Sequence, residues 1–122
     1  MADKILVVED NAEVREVLKT YLENVLGFEV ITASDGVRAL QLLRSQKPEL
    51  KAAILDIMMR SHGGTVADFL KKDPQYKDTV IIYHTALTQE QVDKRILEGA
   101  HFVHKGGDSL KEIAAILRKE LR

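Results

Sequence analysis

Five residues spread along the 122-residue chain carry side chains that could do chemistry together: Glu9, Asp10, Asp56, Thr85 and Lys105. Each stands at the end of a short, largely apolar run, the clearest being Ala52-Ala53-Ile54-Leu55 ahead of Asp56. Three carboxylates brought close together stay ionised at small cost only around a cation. The chain has no cysteine, and no histidine pair converges with these acids, so the donors are hard oxygens. Such a set suits Mg²⁺, which takes about six oxygens at ~2.0–2.1 Å and keeps several waters. Asp10, Asp56 and the backbone carbonyl of Met58 can supply the protein's share, with Glu9 acting through a bound water. Lys105 and Thr85 add an ammonium and a hydroxyl, which together suit the oxygens of a phosphoryl group. The nucleophile is then the Asp56 carboxylate, because carboxylates form acyl phosphates. The chemistry is phosphoryl transfer to Asp56, followed by hydrolysis.

Each residue also has a plain reading. Asp56 could merely cap the loop that follows it. Glu9-Asp10 could be an acidic pair facing the positive end of a helix dipole. Thr85 could be an ordinary strand-end hydroxyl, and Lys105 a solvated lysine. What favours the chemical reading is that all of them fall at successive carboxyl ends of strands, with complementary charge.

The elements that must position them follow from the hydrophobic pattern. Lys4 to Val8, Phe28 to Ala33, the stretch around Ile54, Thr79 to Tyr83 and Phe102 to His104 read as strands, mostly buried on both faces. Between them run helical patterns. The first is capped by Asn11, carries Val14, Val17, Leu18, Tyr21, Leu22 and Val25 inward, and is stopped by Gly27. The second turns in at Ser34-Asp35-Gly36 with Val37, Leu40 and Leu43 inward. Ile57 to Gly64 reads as a loop hinged at Gly63-Gly64, and a short third helix with Val66, Phe69 and Leu70 ends at Asp73-Pro74. Thr88 and Gln91 predict a capping box opening a fourth helix that Gly99 closes. Ser109 and Glu112 predict another, opening a fifth helix with Leu110, Ile113, Leu117 and Leu121 inward.

Five alternations of strand and helix predict an α/β fold, a doubly wound five-stranded parallel sheet with helices on both faces. Five strands are too few for a (β/α)8 barrel, which leaves the flavodoxin-like order 2-1-3-4-5. In that order strands one and three are neighbours, so Glu9, Asp10 and Asp56 meet at the switch point. Ligands bind there, at the carboxyl ends of the strands.

Composition is that of a single globular domain spanning residues 1–122, with 45% hydrophobic and 30% charged residues. A net charge of −1 gives no electrostatic case for binding nucleic acid or a membrane surface. The apolar runs are too short to span a bilayer, and the N-terminus lacks a signal peptide's apolar core. The start reads as a true one, the expected compartment is the cytoplasm, and the chain ends with its fifth helix, as a stand-alone module or a piece of a longer protein.

With these residues set out, the chain resembles the receiver domain of bacterial two-component response regulators over essentially its whole length. Val7-Val8-Glu9-Asp10-Asn11, Leu55-Asp56-Ile57-Met58-Met59, Thr85-Ala86 and Phe102-Val103-His104-Lys105 match that family's four motifs in order and spacing. The resemblance implies that a partner histidine kinase or phosphotransfer protein donates phosphate to Asp56. It implies Mg²⁺ held by Asp10, Asp56 and the Met58 carbonyl, with Glu9 in support. Thr85 would be the switch hydroxyl, Lys105 the phosphate-binding lysine and Phe102 the aromatic that rotates on the fifth strand. That switch would reshape the face of helix four, strand five and helix five for a downstream protein or an output domain. The module would be no independent enzyme, assisting only its own phosphorylation and dephosphorylation.

The sequence departs from the family pattern at Arg60 and at Gly106, where proline is usual. The lysine–proline peptide is often cis in the family; with Gly106 a trans bond is expected. Met58 and Leu87 place apolar bulk two residues after Asp56 and Thr85, which should slow hydrolysis. His84 and His104 end adjacent strands with matching parity and are expected to touch, as packing. Three alternatives compete: a receiver-like interaction module that takes no phosphate, a small phosphatase working through an aspartyl phosphate, and a nucleotide-binding flavodoxin-like protein. The last is weakest, because Glu9-Asp10-Asn11 repels phosphate where such a protein needs a Gly-rich loop.

Overall fold

The computed structural model describes residues 2–57 and 63–121. Strands β1 (Lys4–Val8), β2 (Glu29–Ala33), β3 (Ala52–Leu55), β4 (Val80–Thr85) and β5 (His101–His104) form one sheet in the order β2-β1-β3-β4-β5. Every neighbouring pair is parallel. Helices α1 (Ala12–Asn24), α2 (Gly36–Gln46), α3 (Gly63–Lys72), α4 (Lys94–Leu97) and α5 (Ser109–Glu120) alternate with the strands. This is the topology expected from the pattern, and its reason is burial. β3 is buried at all four positions, and a strand covered on both faces needs aliphatic residues on both.

Alternate residues of the strands feed two core layers. Ile5, Val7, Ile54, Ile82 and Val103 pack against Leu18 and Leu22 of α1 and Ile113 and Leu117 of α5. Leu6, Val8, Leu55, Ile81 and Tyr83 face Ala39 and Leu43 of α2 and Val66 and Leu70 of α3.

The helix starts are set by short polar side chains. Asn11 Oδ1 accepts from the Val14 amide at 3.0 Å, and Asp35 Oδ1 from the Arg38 amide at 2.8 Å. Gly27 and Gly99 adopt the left-handed backbone expected of helix ends, at φ +78° and +69°.

Several local expectations fail. Val17, Val25 and Val37 are exposed rather than inward. The buried stripe of α1 is the narrow one through Leu18 and Leu22, and Val17 and Val25 lie off its edge. In α2, Gly36, Ala39 and Leu43 take the inward side and turn Val37 out.

Gly63-Gly64 is not a loop hinge but the first turn of α3. The Thr88–Gln91 hydrogen bonds form, with the Thr88 amide 2.9 Å from Gln91 Oε1, yet they open only a single 3-10 turn over Gln89–Gln91. Val92 is extended and buried, so the helix restarts at Lys94, capped by Asp93, and is one turn long. Ser109 is not an N-cap: it is the first residue of α5, Asp108 stands before it, and no side chain caps that helix.

Candidate phosphoryl-transfer site

Backbone pairing at the carboxyl ends of the strands fixes where the chemistry-bearing residues start. The Glu9 amide donates to the Ala33 carbonyl at 3.1 Å, the Asp56 amide to the Val8 carbonyl at 3.2 Å, and the Lys105 amide to the Thr85 carbonyl at 2.8 Å. These bonds tie the ends of β1 and β3 to the β2 side of the rim and the end of β5 to that of β4.

On that rim the Lys105 ammonium stands 2.6 Å from Asp56 Oδ2 and 3.0 Å from Glu9 Oε1. Glu9 is 1% exposed and Asp56 4%, whereas Asp10 faces solvent. Carboxylate oxygens of Glu9, Asp10 and Asp56 all lie within 4.8 Å of one another. The Glu9 carboxylate also accepts from the Asn11 amide at 3.2 Å. The Lys105–Gly106 peptide is trans, as expected without proline.

The electrostatics follow from this crowding. Burial pushes the Glu9 carboxyl above its usual range, and the nearby Asp56 charge adds to the rise. Lys105 and the Asn11 amide pull the other way without reversing it. Burial works to lower the Lys105 pKa but is outweighed by its bonds to Asp56 and Glu9, leaving the ammonium held above its usual value. One lysine therefore falls short of offsetting the buried carboxylates beside it.

Thr85 is fully buried, and its Oγ1 accepts from the Leu87 amide at 3.3 Å. Thr85 and Phe102 share the opposite sheet face from Asp56: Phe102 pairs with Tyr83, two residues before Thr85. Phe102 is half-buried against the α2–α3 core layer. The structure thus brings Glu9, Asp10, Asp56 and Lys105 together and places Thr85 and Phe102 on the other sheet face, Phe102 one register step back along the strand beside Tyr83. Met58, and with it the expected carbonyl ligand, lies outside the described residues, as does Arg60.

Two features escaped the sequence reading. Arg15 Nη1 donates to the Glu9 carbonyl at 2.8 Å and strengthens the hold on the acidic loop. A guanidinium one turn into a helix that follows two acids is the signal for it. The register of the two histidines is the other: they do not share parity. His84 pairs with Val103 and is buried, while His104 pairs with Thr85, is exposed, and places Nε2 3.0 Å from the Ala86 carbonyl.

The donor set fits a hard divalent cation. The clustered ligands are carboxylate oxygens, and neither sulfur nor imidazole joins them among the described residues.

The family model for the response regulator receiver domain matches residues 5–117. A probable transcriptional regulator, ycf27 of Porphyra purpurea, is 38% identical over 123 residues, covering 98% of this chain and 48% of that protein. The chain thus spans about half the length of the curated relatives it matches. The response regulator TrrA of Thermotoga maritima, solved with Mg²⁺ and beryllofluoride, is 30% identical, with TM-score 0.79 over 97% of this chain and 98% of TrrA. A TrrA structure in complex with the histidine kinase ThkA gives 31% identity and TM-score 0.81, covering 98% and 99% of the two chains.

Proposed function

The chain belongs to the response regulator receiver family, which acts in two-component phosphoryl transfer, and from that premise we propose that Asp56 is its phosphoacceptor and a histidine kinase or phosphotransfer protein its donor. The observation that carries this reading is the Lys105 ammonium bridging Asp56 Oδ2 at 2.6 Å and Glu9 Oε1 at 3.0 Å, inside a cluster that also holds Asp10. An Asp56 carboxylate oxygen attacks the phosphorus of a phosphohistidine. The P–N bond breaks, its electron pair stays on the imidazole nitrogen, and an acyl phosphate forms on Asp56. Lys105 keeps contact with one phosphoryl oxygen. Hydrolysis by water returns the carboxylate and releases inorganic phosphate.

Asp10 and Asp56, with the Met58 carbonyl, would hold Mg²⁺, and Glu9 would support it. Such an ion supplies neutralisation of the phosphoryl oxygens during transfer. The TrrA structure with Mg²⁺ and beryllofluoride supports that assignment, and the TrrA–ThkA complex supports a kinase partner.

The switch runs through Thr85. Its hydroxyl leaves the Leu87 amide for the phosphoryl group, and the space behind it admits the Phe102 ring. The face of α4, β5 and α5 is reshaped, and the phosphate acts by favouring that state. Relatives named as transcriptional regulators support an output in gene expression, through a downstream protein or an attached output domain. A net charge of −1 gives no electrostatic case for direct binding of nucleic acid by this chain. No helix among the described residues is long and apolar enough to cross a membrane. Partnership with a kinase's phosphodonor domain argues for the cytoplasm.

The test is intact mass after incubation with acetyl phosphate. One phosphoryl group should add only when Mg²⁺ is present, and none to Asp56→Asn. No uptake under any condition would favour an interaction module that takes no phosphate. Steady turnover of the donor without a labelled protein would favour a phosphatase.

A further inference from the structure

Strand order constrains Lys105. It stands just past β5, yet its ammonium reaches Asp56 past β3 and Glu9 past β1, so its stem crosses the end of β4. The β4 residue on the same face at that crossing is His84. Leu55 pairs with Tyr83, which puts His84 beside Asp56, and His84 pairs with Val103, two residues before Lys105.

His84 is 4% exposed, and neither ring nitrogen has a hydrogen-bond partner among the described residues. It lines a cleft of about 360 Å³ between α1 and the start of α5, together with Lys105, Ser109 and Leu110. Burial first, and then the Lys105 charge, hold its pKa down to about 4. At neutral pH the ring therefore carries one N–H and one bare lone pair. Lys105 has three ammonium N–H groups; one meets Asp56, one meets Glu9, and the third has no partner among the described residues. An apolar side chain would fill the His84 position without burying two unsatisfied nitrogens. Packing alone does not account for a histidine there.

We propose that His84 is a positioning residue for Lys105: its bare ring nitrogen accepts the third ammonium N–H when Lys105 turns from the Asp56 carboxylate to a phosphoryl group on it. The ring touches no reacting atom and acts only through the lysine. This inference rests on the phosphoryl-site reading above. Glu9 and His84 then hold the ammonium from two sides while its remaining donor follows the phosphoryl oxygen.

The test titrates beryllofluoride with Mg²⁺ into the full chain as wild type, His84→Leu and His84→Gln. Leucine should weaken binding about tenfold, the scale of one charge-assisted hydrogen bond, while glutamine, which keeps an acceptor, should stay within about threefold. The thermal midpoint of His84→Leu at pH 7 should match or exceed that of wild type. In wild type, the resonance of the bare His84 ring nitrogen should move upfield on beryllofluoride binding, a readout that needs no variant to fold. A leucine variant that binds as wild type, a glutamine variant that loses as much as leucine, or a stationary ring resonance would each overturn the proposal. Failure of wild type to bind beryllofluoride would overturn the phosphoryl-site reading itself.

Discussion

Lys105 Nζ stands 2.6 Å from Asp56 Oδ2, tying the end of β5 to the end of β3 across the strand between them. The same ammonium reaches Glu9, so one cation serves two buried carboxylates while a third, on Asp10, lies within 4.8 Å of both. The crevice is left with an excess of negative charge, and that excess is what a divalent cation would relieve.

Glu9 is the member most burdened by this excess. Its folded-state pKa lies above the ordinary value of 4.5, chiefly through burial. Between 4.5 and the raised value the folded chain binds more protons than the unfolded one, so stability falls as pH rises through that window. Glu9→Gln should therefore raise stability at pH 7 without divalent ions, by about 1 kcal/mol. The gain should disappear below about pH 4. Thermal melts from pH 4 to 8 check both.

Adding Mg²⁺ should stabilise the wild-type chain by mass action, about 2.7 kcal/mol at a hundredfold excess over the dissociation constant. Asp10→Asn should remove more than half of that gain, because it deletes an exposed ligand without disturbing the core. Melting curves with Mg²⁺ and after chelation read it directly.

His84 titrates with the opposite sign. Its pKa falls from 6.5 unfolded to about 4 folded, because burial disfavours the imidazolium. Across that window the unfolded chain binds the extra proton, so stability is lost as pH falls from about 6.5 towards 4, by up to ~3 kcal/mol. His84→Gln should flatten this part of the acid limb. Urea titrations at pH 7, 5.5 and 4.5 measure it.

The exposed valines offer a contrast inside one helix. Val17→Thr should change stability by no more than about 0.5 kcal/mol. Leu22→Ala, at a fully buried position, should cost about 2–5 kcal/mol. Equal losses at the two positions would contradict the assigned stripe of α1.

That contrast also marks how far the sequence could be read. Sheet order and the residues at the strand ends were legible, because parallel strands need continuous aliphatic runs and the order 2-1-3-4-5 brings Glu9, Asp10, Asp56 and Lys105 to one rim. The edges of the helical stripes were not. Val17 and Val37 fit a broad apolar face, and only packing against the sheet narrows it to Leu18 and Leu22, or to Ala39 and Leu43. The fourth helix is shorter than its capping signal predicts, for a related reason. The Thr88–Gln91 bonds are local and form as expected, but burying Val92 in an extended conformation breaks the helix after one turn. The histidines show that strand ends alone do not fix parity: the register pairs His84 with Val103 and Thr85 with His104, so the two rings fall on opposite sheet faces.

The central claim, that the crowded rim primes Asp56 and no other residue, is tested most directly by trapping. The chain is treated with acetyl phosphate and Mg²⁺, then with borohydride, which reduces an acyl phosphate to an alcohol. Peptide mass mapping should place the reduced residue at Asp56 alone, with nothing trapped when Mg²⁺ is omitted. A reduced residue at Glu9 or Asp10, or trapping undiminished in Asp56→Asn, would contradict it.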